Sequence, residues 1–241
     1  MSQQSIFLKA EWRKLIMANY QVDPAILQPY VPAGTTLDLW QNRCYISLVG
    51  FLFRKVRVKG IAIPFHTRFP EINLRFYVKQ VKDETIKRGV VFISEIVPKP
   101  AISFVANHLY QEKYSTMPMQ YDWKILPDEQ QVVYQCKNKG RWKSMEVIAD
   151  KEAIALQPGS EEAFITEHYW GFAAGKRGTT AYQVVHPQWD IAAVQSSSIS
   201  KGFSELYDPA FRFLDSEKPV SVFLAEGSPI QICSGQRFAY R

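Results

Sequence analysis

Only three cysteines occur in the 241 residues, Cys44, Cys136 and Cys233, and none forms a Cys-x-x-Cys pair. Neither a disulfide framework nor a cysteine-based zinc site is expected, and buried thiols in a reducing cytoplasm are the economical reading. Histidine is scarce as well. His66, His108, His168 and His186 are scattered and have no spaced carboxylate partners, so no metal is expected. Long hydrophobic runs are missing too. The longest, "YISLVGFLF" at 45–53, is interrupted by Ser47 and Gly50, well short of a bilayer span. The start, "MSQQSIFLKAEW", lacks the cationic head and apolar stretch of a signal peptide. A cytoplasmic chain with no membrane partner is therefore expected.

Several signatures are absent in the same way. There is no Gly-x-Gly-x-x-Gly, no phosphate-binding glycine loop and no Gly-x-Ser-x-Gly, which removes dinucleotide, kinase and hydrolase readings together. "SISK" at 198–201 fits Ser-x-x-Lys only formally, because the other signature elements of that motif are missing. No repeat, low-complexity tract or Gly/Ser linker divides the chain, so residues 1–241 are read as a single domain.

What is present is an ordinary globular composition, 46% apolar and 22% charged, with a net charge of +6. That mild basicity suits an anionic small molecule or weak nucleic-acid contact and decides nothing alone. Along the chain, "KLIMANYQV" reads as a strand, followed by a short helix capped by Asp23 with Pro24 at its first position. "TTLDLW" and "CYISLVGFLFRKVRVKG" read as strands around a turn at 41–43, with Gly50 marking a bulge or bend in the second. "EINLRFYVKQV" and "GVVFISEIV" follow. A helical stripe of Ile102, Val105, Ala106 and Leu109 then starts from Pro100. Three more strands are predicted around 119–125, 131–136 and 142–149, the last two joined at "KNKG". Ser160 caps a second helix, "EEAFITEHYWGF", and strand character returns in "TTAYQVVHPQWDIAAVQSSSI" and "PVSVFLAEG". A short helical piece near 205–214 lies between those last two. Nine or ten strands with two substantial helices make the chain mainly β (α+β). Long alternating strands without βαβ spacing favour a closed or nearly closed barrel.

Within "FPEINLRFYV" (69–78), Ile72, Leu74, Phe76 and Val78 fall on one side of a strand, and Glu71, Asn73, Arg75 and Tyr77 on the other. Taken alone, the polar row fits a solvated face, as is common in antiparallel sheets, or a polar wall lining a pocket. His186, in "YQVVHPQW", is a general acid–base candidate or a hydrogen-bonded histidine ending a strand. His168 and His108 read as helix packing, and His66 lies in a loop. Lys55, Arg57 and Lys59 form a basic stripe, with "KNKGRWK" as a basic hairpin tip. Nucleic-acid binding and a solvated edge that discourages strand pairing both explain it, and no recognition motif favours the former.

Five segments taken in order, "EWRKLIMANYQVDPAILQPYVPAGTTLDLWQNRCYISLVGFLF", "PEINLRFYV", "GVVFISEI", "EAFITEHYWGFA" and "YQVVHPQW", resemble the YqjF-like family, domain of unknown function 2071. The resemblance runs from Glu11 to Trp189, with a weaker tail beyond. That family is grouped by fold with acetoacetate decarboxylase. The resemblance thus implies a β-barrel or cone with an internal cavity and two or three flanking helices, and it favours the pocket reading of Glu71, Asn73 and Arg75. It does not bring the chemistry of the decarboxylase, whose Schiff-base lysine is one of two consecutive lysines and has its pKa lowered by an adjacent cation. Here "HLYQEKYSTMPM" holds only Lys113, between Glu112 and Tyr114, and the chain contains no Lys-Lys dipeptide. The register places Tyr114 at the nucleophile's position, and Glu112 beside Lys113 would favour the charged amine.

The expectation is a barrel binding a small anionic or carbonyl-bearing molecule, without a cofactor. Arg75 would anchor the anion and Asn73 orient it. Glu71 would be the counter-ion of Arg75 or a proton acceptor, with Tyr114 and His186 on the cavity wall. The alternative is an enzyme acting on a keto acid, with Glu71 or His186 as base or Lys113 as a Schiff-base nucleophile. Oligomeric state is not legible in the sequence.

Overall fold

In the computed structural model, which describes residues 5–109, 111–175 and 178–238, side-chain alternation sets how two sheets stack. The elements run β1 (Ile6–Gln21), α1 (Pro24–Leu27), β2 (Thr36–Leu37), β3 (Tyr45–Val58), β4 (Phe69–Lys82) and β5 (Thr85–Val97). Next come α2 (Pro100–Leu109), β6 (Tyr114–Thr116), β7 (Met119–Ile125), β8 (Glu129–Asn138), β9 (Arg141–Asp150) and α3 (Glu161–Thr166). The chain continues through β10 (Trp170–Gly175), β11 (Gly178–Val185), β12 (Ile191–Ala192), β13 (Val194–Ile199), β14 (Ser221–Cys233) and β15 (Gln236–Phe238). Two 3₁₀ turns, Phe203–Leu206 and Pro209–Asp215, occupy the expected helical piece.

The larger sheet follows β14-β1-β3-β4-β5-β10-β11, and a β11–β14 pairing (Val184 with Ile232, Val185 with Gln231) closes that path into a ring. The second sheet is β13-β9-β8-β7. It packs on the outer face of the ring: Ile72, Leu74 and Phe76 of β4 share one apolar core with Val132, Tyr134, Met145 and Val147. A separate core fills the ring, with Leu15, Met17, Val49, Phe51, Tyr77 and Phe164 among its members. The ring interior is plugged on the Tyr45 side by α3. There Phe164 meets Tyr77 edge-on at 5.4 Å, and Tyr45 donates to Glu161 at 2.9 Å. At the opposite end of β3, Val56 and Val58 lie beneath α2. No helix among the described residues is long and apolar enough to cross a membrane.

Local signals in the sequence are realised where they rest on backbone chemistry. Asp23 accepts from the Ala25 amide at 2.8 Å, and Ser160 from the Ala163 amide at 3.1 Å. The β8–β9 hairpin turns through Lys139 and Gly140, both in the left-handed region. All three cysteines are buried.

Other expectations are corrected. β1 begins at Ile6, ahead of the predicted start, because its outer half pairs with both β14 and β3. "TTLDLW" yields only the two residues of β2, which pair with β4 and not with β3. The second helix stops at Thr166, so His168 lies beyond it, in the approach to β10. Lys55 and Lys59 have positive φ, which interrupts the basic stripe, and Lys55 is drawn to Glu11 at 2.6 Å.

Gly50 does not carry a bulge. The nearby bulge lies in β1, where Lys14 (φ 52°) and Leu15 together stand opposite the single residue Phe51, between the pairs Arg13–Leu52 and Ile16–Gly50. Gly50 instead makes room for a ring of the second sheet, since a Cβ there would stand 3.0 Å from Tyr134. The Tyr134 hydroxyl reaches past Gly50 to the bulge, donating to the Lys14 carbonyl at 2.9 Å and lying 3.2 Å from that of Arg13. Tyr134→Phe leaves these buried carbonyls short of a donor and is expected to lower stability by about 1–3 kcal/mol in urea denaturation. An unchanged midpoint would show that the bulge does not need the hydroxyl.

Candidate functional site

A strand with one wet face shows every second residue exposed, but β4 is buried at all positions from Phe69 to Val78. One face packs on the second sheet and the other looks into the ring. Glu71, Asn73 and Arg75 are 2%, 1% and 7% exposed, so the solvated-face alternative is excluded. Across the β3 ladder they stand opposite Phe51, Val49 and Ser47. Across β5, Glu95 stands opposite Asn73 and, past a bulge, Phe92 opposite Arg75.

Glu71 accepts from Asn73 Nδ2 at 2.9 Å and from the Tyr114 hydroxyl at 3.2 Å. Tyr114 is fixed by its own backbone, which gives its amide to Asn107 Oδ1 at 2.7 Å and accepts from Asn107 Nδ2 at 3.0 Å. β6 pairs in parallel with β5 in the register Glu95–Tyr114, which brings that phenol beside the second carboxyl. A third carboxyl, Glu112, accepts from the Tyr182 hydroxyl at 2.7 Å. Arg75 forms no ion pair among the described residues; its Nη2 lies 3.9 Å from Met17 Sδ, and its Nε has no partner. Glu71 is therefore not the ion-paired counter-ion of Arg75.

Burial dominates the electrostatics. It pushes Glu71 up to about 7, against the Asn73 and Tyr114 hydrogen bonds and the field of Arg75. It pushes Glu112 up to about 7, against the Tyr182 bond and with the charge of Glu71 adding. Glu95 is raised well above the carboxylate range by burial and then by Glu112 and Glu71. His186 falls to about 4 through burial, opposed by its Nδ1 contact with the Pro187 carbonyl at 2.8 Å and aided by Arg75. His168 is lowered to about 4 by burial, against its bond to Asp38 at 3.2 Å. Near neutral pH the histidines are uncharged and the carboxyls hold protons in part. The guanidinium is then the permanent positive charge of the site.

These groups surround a polar chamber of about 60 Å³, lined by Glu71, Asn73, Arg75, Glu95, Tyr114 and both inner histidines. Among the described residues seven buried side-chain polar atoms lack a partner. Five of them line this chamber: Trp12 Nε1, Asn73 Oδ1, Arg75 Nε, Glu95 Oε2 and His168 Nδ1; the others are Gln130 Oε1 and Tyr207 OH. Native interiors leave few such atoms, and their concentration in one place marks a site built for a polar guest. Among the described residues no three His, Cys, Asp or Glu side chains are arranged to hold a metal ion.

Of the residues singled out from the sequence, Glu71, Asn73, Arg75, Tyr114 and His186 meet in this chamber. Lys113 does not. It is exposed, with Nζ 5.6 Å from the Tyr30 ring centroid, and no lysine among the described residues lines the polar chamber. Strand alternation turns its neighbours Glu112 and Tyr114 inward and Lys113 out, so the Schiff-base candidate is corrected. Glu95, Glu112, Tyr182, Trp12 and His168 were not read from the sequence. Glu95 had a signal, the alternation within "GVVFISEIV"; His168 had none, because its role depends on Asp38, 130 positions away in the chain.

A second, apolar cavity of about 210 Å³ lies under α2, between the ends of β1 and β3 and the loop before β4. It shares a wall of Phe53, Tyr114, Tyr182 and Ile232 with the polar chamber.

The chain matches the DUF2071 family, described as an uncharacterized conserved protein, over residues 9–229. A stretch of 88 residues is 33% identical to the uncharacterized protein YqjF of Bacillus subtilis, covering 36% of this chain and only 35% of that protein. Solved structures align over nearly the whole chain. Acetoacetate decarboxylase from Legionella pneumophila superposes with a TM-score of 0.66 at 12% identity, over 98% of this chain and 88% of its own. The enduracididine biosynthesis enzyme MppR complexed with pyruvate gives 0.69 at 10% identity, over 98% and 91%. An acetoacetate decarboxylase-like enzyme from Sphingomonas wittichii gives 0.62 at 12% identity, over 98% and 95%. At such identities the likeness is one of fold. The family match over residues 9–229 makes the chain a member of the DUF2071 family, and its fold is similar to that of acetoacetate decarboxylase.

Proposed function

We propose that the protein binds the carboxylate or carbonyl end of a small molecule in the polar chamber, with Arg75 as its anchor. The observation that carries this reading is a buried guanidinium, free of any ion pair among the described residues, in a chamber with four other unpartnered polar atoms. A buried cation without a partner is costly, and an incoming carboxylate offsets that cost through charge-assisted hydrogen bonds. Trp12 Nε1 and Arg75 Nε are unpartnered donors on residues that line the same chamber, and Asn73 is held by Glu71. The pyruvate complex of MppR supports the reading as a parallel in the same fold.

The test is thermal shift and calorimetry with a panel of small carboxylic and keto acids, on wild type and Arg75→Met. Wild type is expected to gain stability from some acids in a concentration-dependent way. Arg75→Met is expected to fold, because it removes an unpaired buried charge, and to weaken those acids by about 10–100-fold. Affinity should rise as pH falls from 8 to 6, because protonated Glu71 and Glu112 no longer repel the anion. Equal binding by the variant would sink the anchor.

A second reading, acid–base catalysis on a carbonyl compound, is favoured by one observation. Glu71 is poised at about 7 beside the Tyr114 hydroxyl, in the range a general acid or base needs at neutral pH. The neutral His186, whose Nδ1 faces the Pro187 carbonyl, offers Nε2 as a further base. NMR of the same acids incubated with protein separates the readings: turnover that Glu71→Gln abolishes makes this an enzyme, and unchanged bound acids make it a binder.

A further inference from the structure

We propose that the apolar cavity under α2 receives the hydrocarbon part of the ligand, so that the preferred molecule is an amphipathic acid of about eight carbons or an aryl-substituted acid of similar size. This rests on the Arg75 anchor proposed above. The polar chamber, at about 60 Å³, has the volume of about two water molecules, enough for a carboxylate or carbonyl group and little else. The remainder of any larger ligand needs space elsewhere, and the adjoining cavity is more than three times as large.

Its chemistry is one-sided. Phe7, Val56, Val58, Ile102 and Val105 are among its apolar walls; Tyr114 and Tyr182 stand in the wall shared with the polar chamber, Glu112 is hydrogen-bonded to Tyr182, and His66 is the further polar side chain, on the loop before β4. An amphipathic molecule has that same polarity. The α2 stripe points the same way: Ile102, Val105 and Ala106 would ordinarily be pressed into a core, yet they front this open volume, and Val105 remains 39% exposed. A molecule spanning both cavities crosses only the shared wall of Phe53, Tyr114, Tyr182 and Ile232. Apolar cavities stay dry, and one of about 150 Å³ accommodates benzene; the same ratio gives this one room for about eight carbons.

The experiment is calorimetric titration at pH 6.5 of the full chain with straight-chain carboxylates from acetate to dodecanoate and with the matching 1-alkanols. Affinity for the acids is expected to grow about fourfold per added methylene up to about eight carbons and then to level off. Alkanols are expected to bind far more weakly. Ala106→Trp and, separately, Val105→Trp fill the cavity from a partly exposed helix, and each is expected to reduce octanoate to the affinity of butyrate without altering acetate. Short acids that bind with no gain from chain length would overturn the tail compartment and leave the Arg75 anchor standing. Failure of every acid would remove the anchor, and this inference with it. Alkanols binding as tightly as acids, with Arg75→Met unchanged, would show a plain hydrocarbon pocket and refute the amphipathic ligand. The wild-type series decides the matter even where a tryptophan variant does not fold.

Discussion

The wild-type protein is expected to lose stability as pH rises from 6.5 to 8, and Glu71→Gln is expected to flatten that loss. Burial raises Glu71 and Glu112 from 4.5 to about 7 and lifts Glu95 well above the carboxylate range. Between the two values the folded state holds protons that the unfolded chain has released. Their contribution is complete below about 4.5 and disappears as pH climbs through 7. The buried histidines act with the opposite sign. His168 and His186 are lowered to about 4, so between about 4 and 6.5 the unfolded chain binds protons that the folded state refuses, and stability there increases with pH. The two trends oppose each other below 6.5 and leave the carboxyls alone above it. Urea denaturation from pH 5 to 8.5 should therefore show a shallow profile that turns downward near 6.5. Between pH 5.5 and 8 the Glu71 share is about 2 kcal/mol, which Glu71→Gln removes from the slope. A variant slope equal to the wild-type slope would mean that Glu71 is ionised throughout, and that the chamber is wetter than its burial implies.

Asp38→Asn is expected to be the most damaging single substitution near the site, costing about 3–5 kcal/mol at pH 7. Asp38 is buried and accepts from Arg88 Nε at 2.6 Å and from His168 Nε2 at 3.2 Å, with Lys79 Nζ at 3.5 Å. Burial alone would raise its carboxyl, but His168 and Arg88 together hold it well below the carboxylate range. Arg88 and His168 share Oδ2 and Lys79 faces Oδ1, so an asparagine removes the charge that holds both cations, Arg88 and Lys79; in one orientation its NH₂ group meets Lys79, and in the other it meets Arg88 and His168 together. Arg88 also lies over the Phe164 ring at 4.9 Å, so its release loosens the α3 plug. Because the folded value is depressed, the Asp38 contribution is present above about 4 and fades as pH falls below that. The gap between wild type and variant should therefore narrow in acid. The narrowing starts just under the ordinary carboxylate value and is large only well below it, so a gap of similar size at pH 2 and pH 7 would assign the loss to packing and not to the carboxylate.

The alternation in "PEINLRFYV", the caps at Asp23 and Ser160 and the turn of "KNKG" were legible because each depends on contacts within a few residues. That one row of β4 is polar and the other apolar follows from order along the chain alone. Which row faces water does not: both are buried, and only the second sheet packing on Ile72, Leu74 and Phe76 leaves Glu71, Asn73 and Arg75 the inside of the ring. The same limit governs Lys113. A shift of one residue in a strand turns every side chain to the other face. The phase here is set by the parallel pairing of Tyr114 with Glu95 and by the Asn107 clamp.

The sequence by itself determined a mainly β chain with its strand rhythm, its helix starts, its family likeness and a suspect polar row. Tertiary structure alone decided that β2 joins β4 and that β11 closes on β14. It also decided that Glu95 and His168 complete a chamber around an arginine that has no ion pair among the described residues. Local propensities act over a few residues. A site assembled from β4, β5, β6, β11 and the segment after α3 exists only once long-range pairing has chosen the register and buried the charges together.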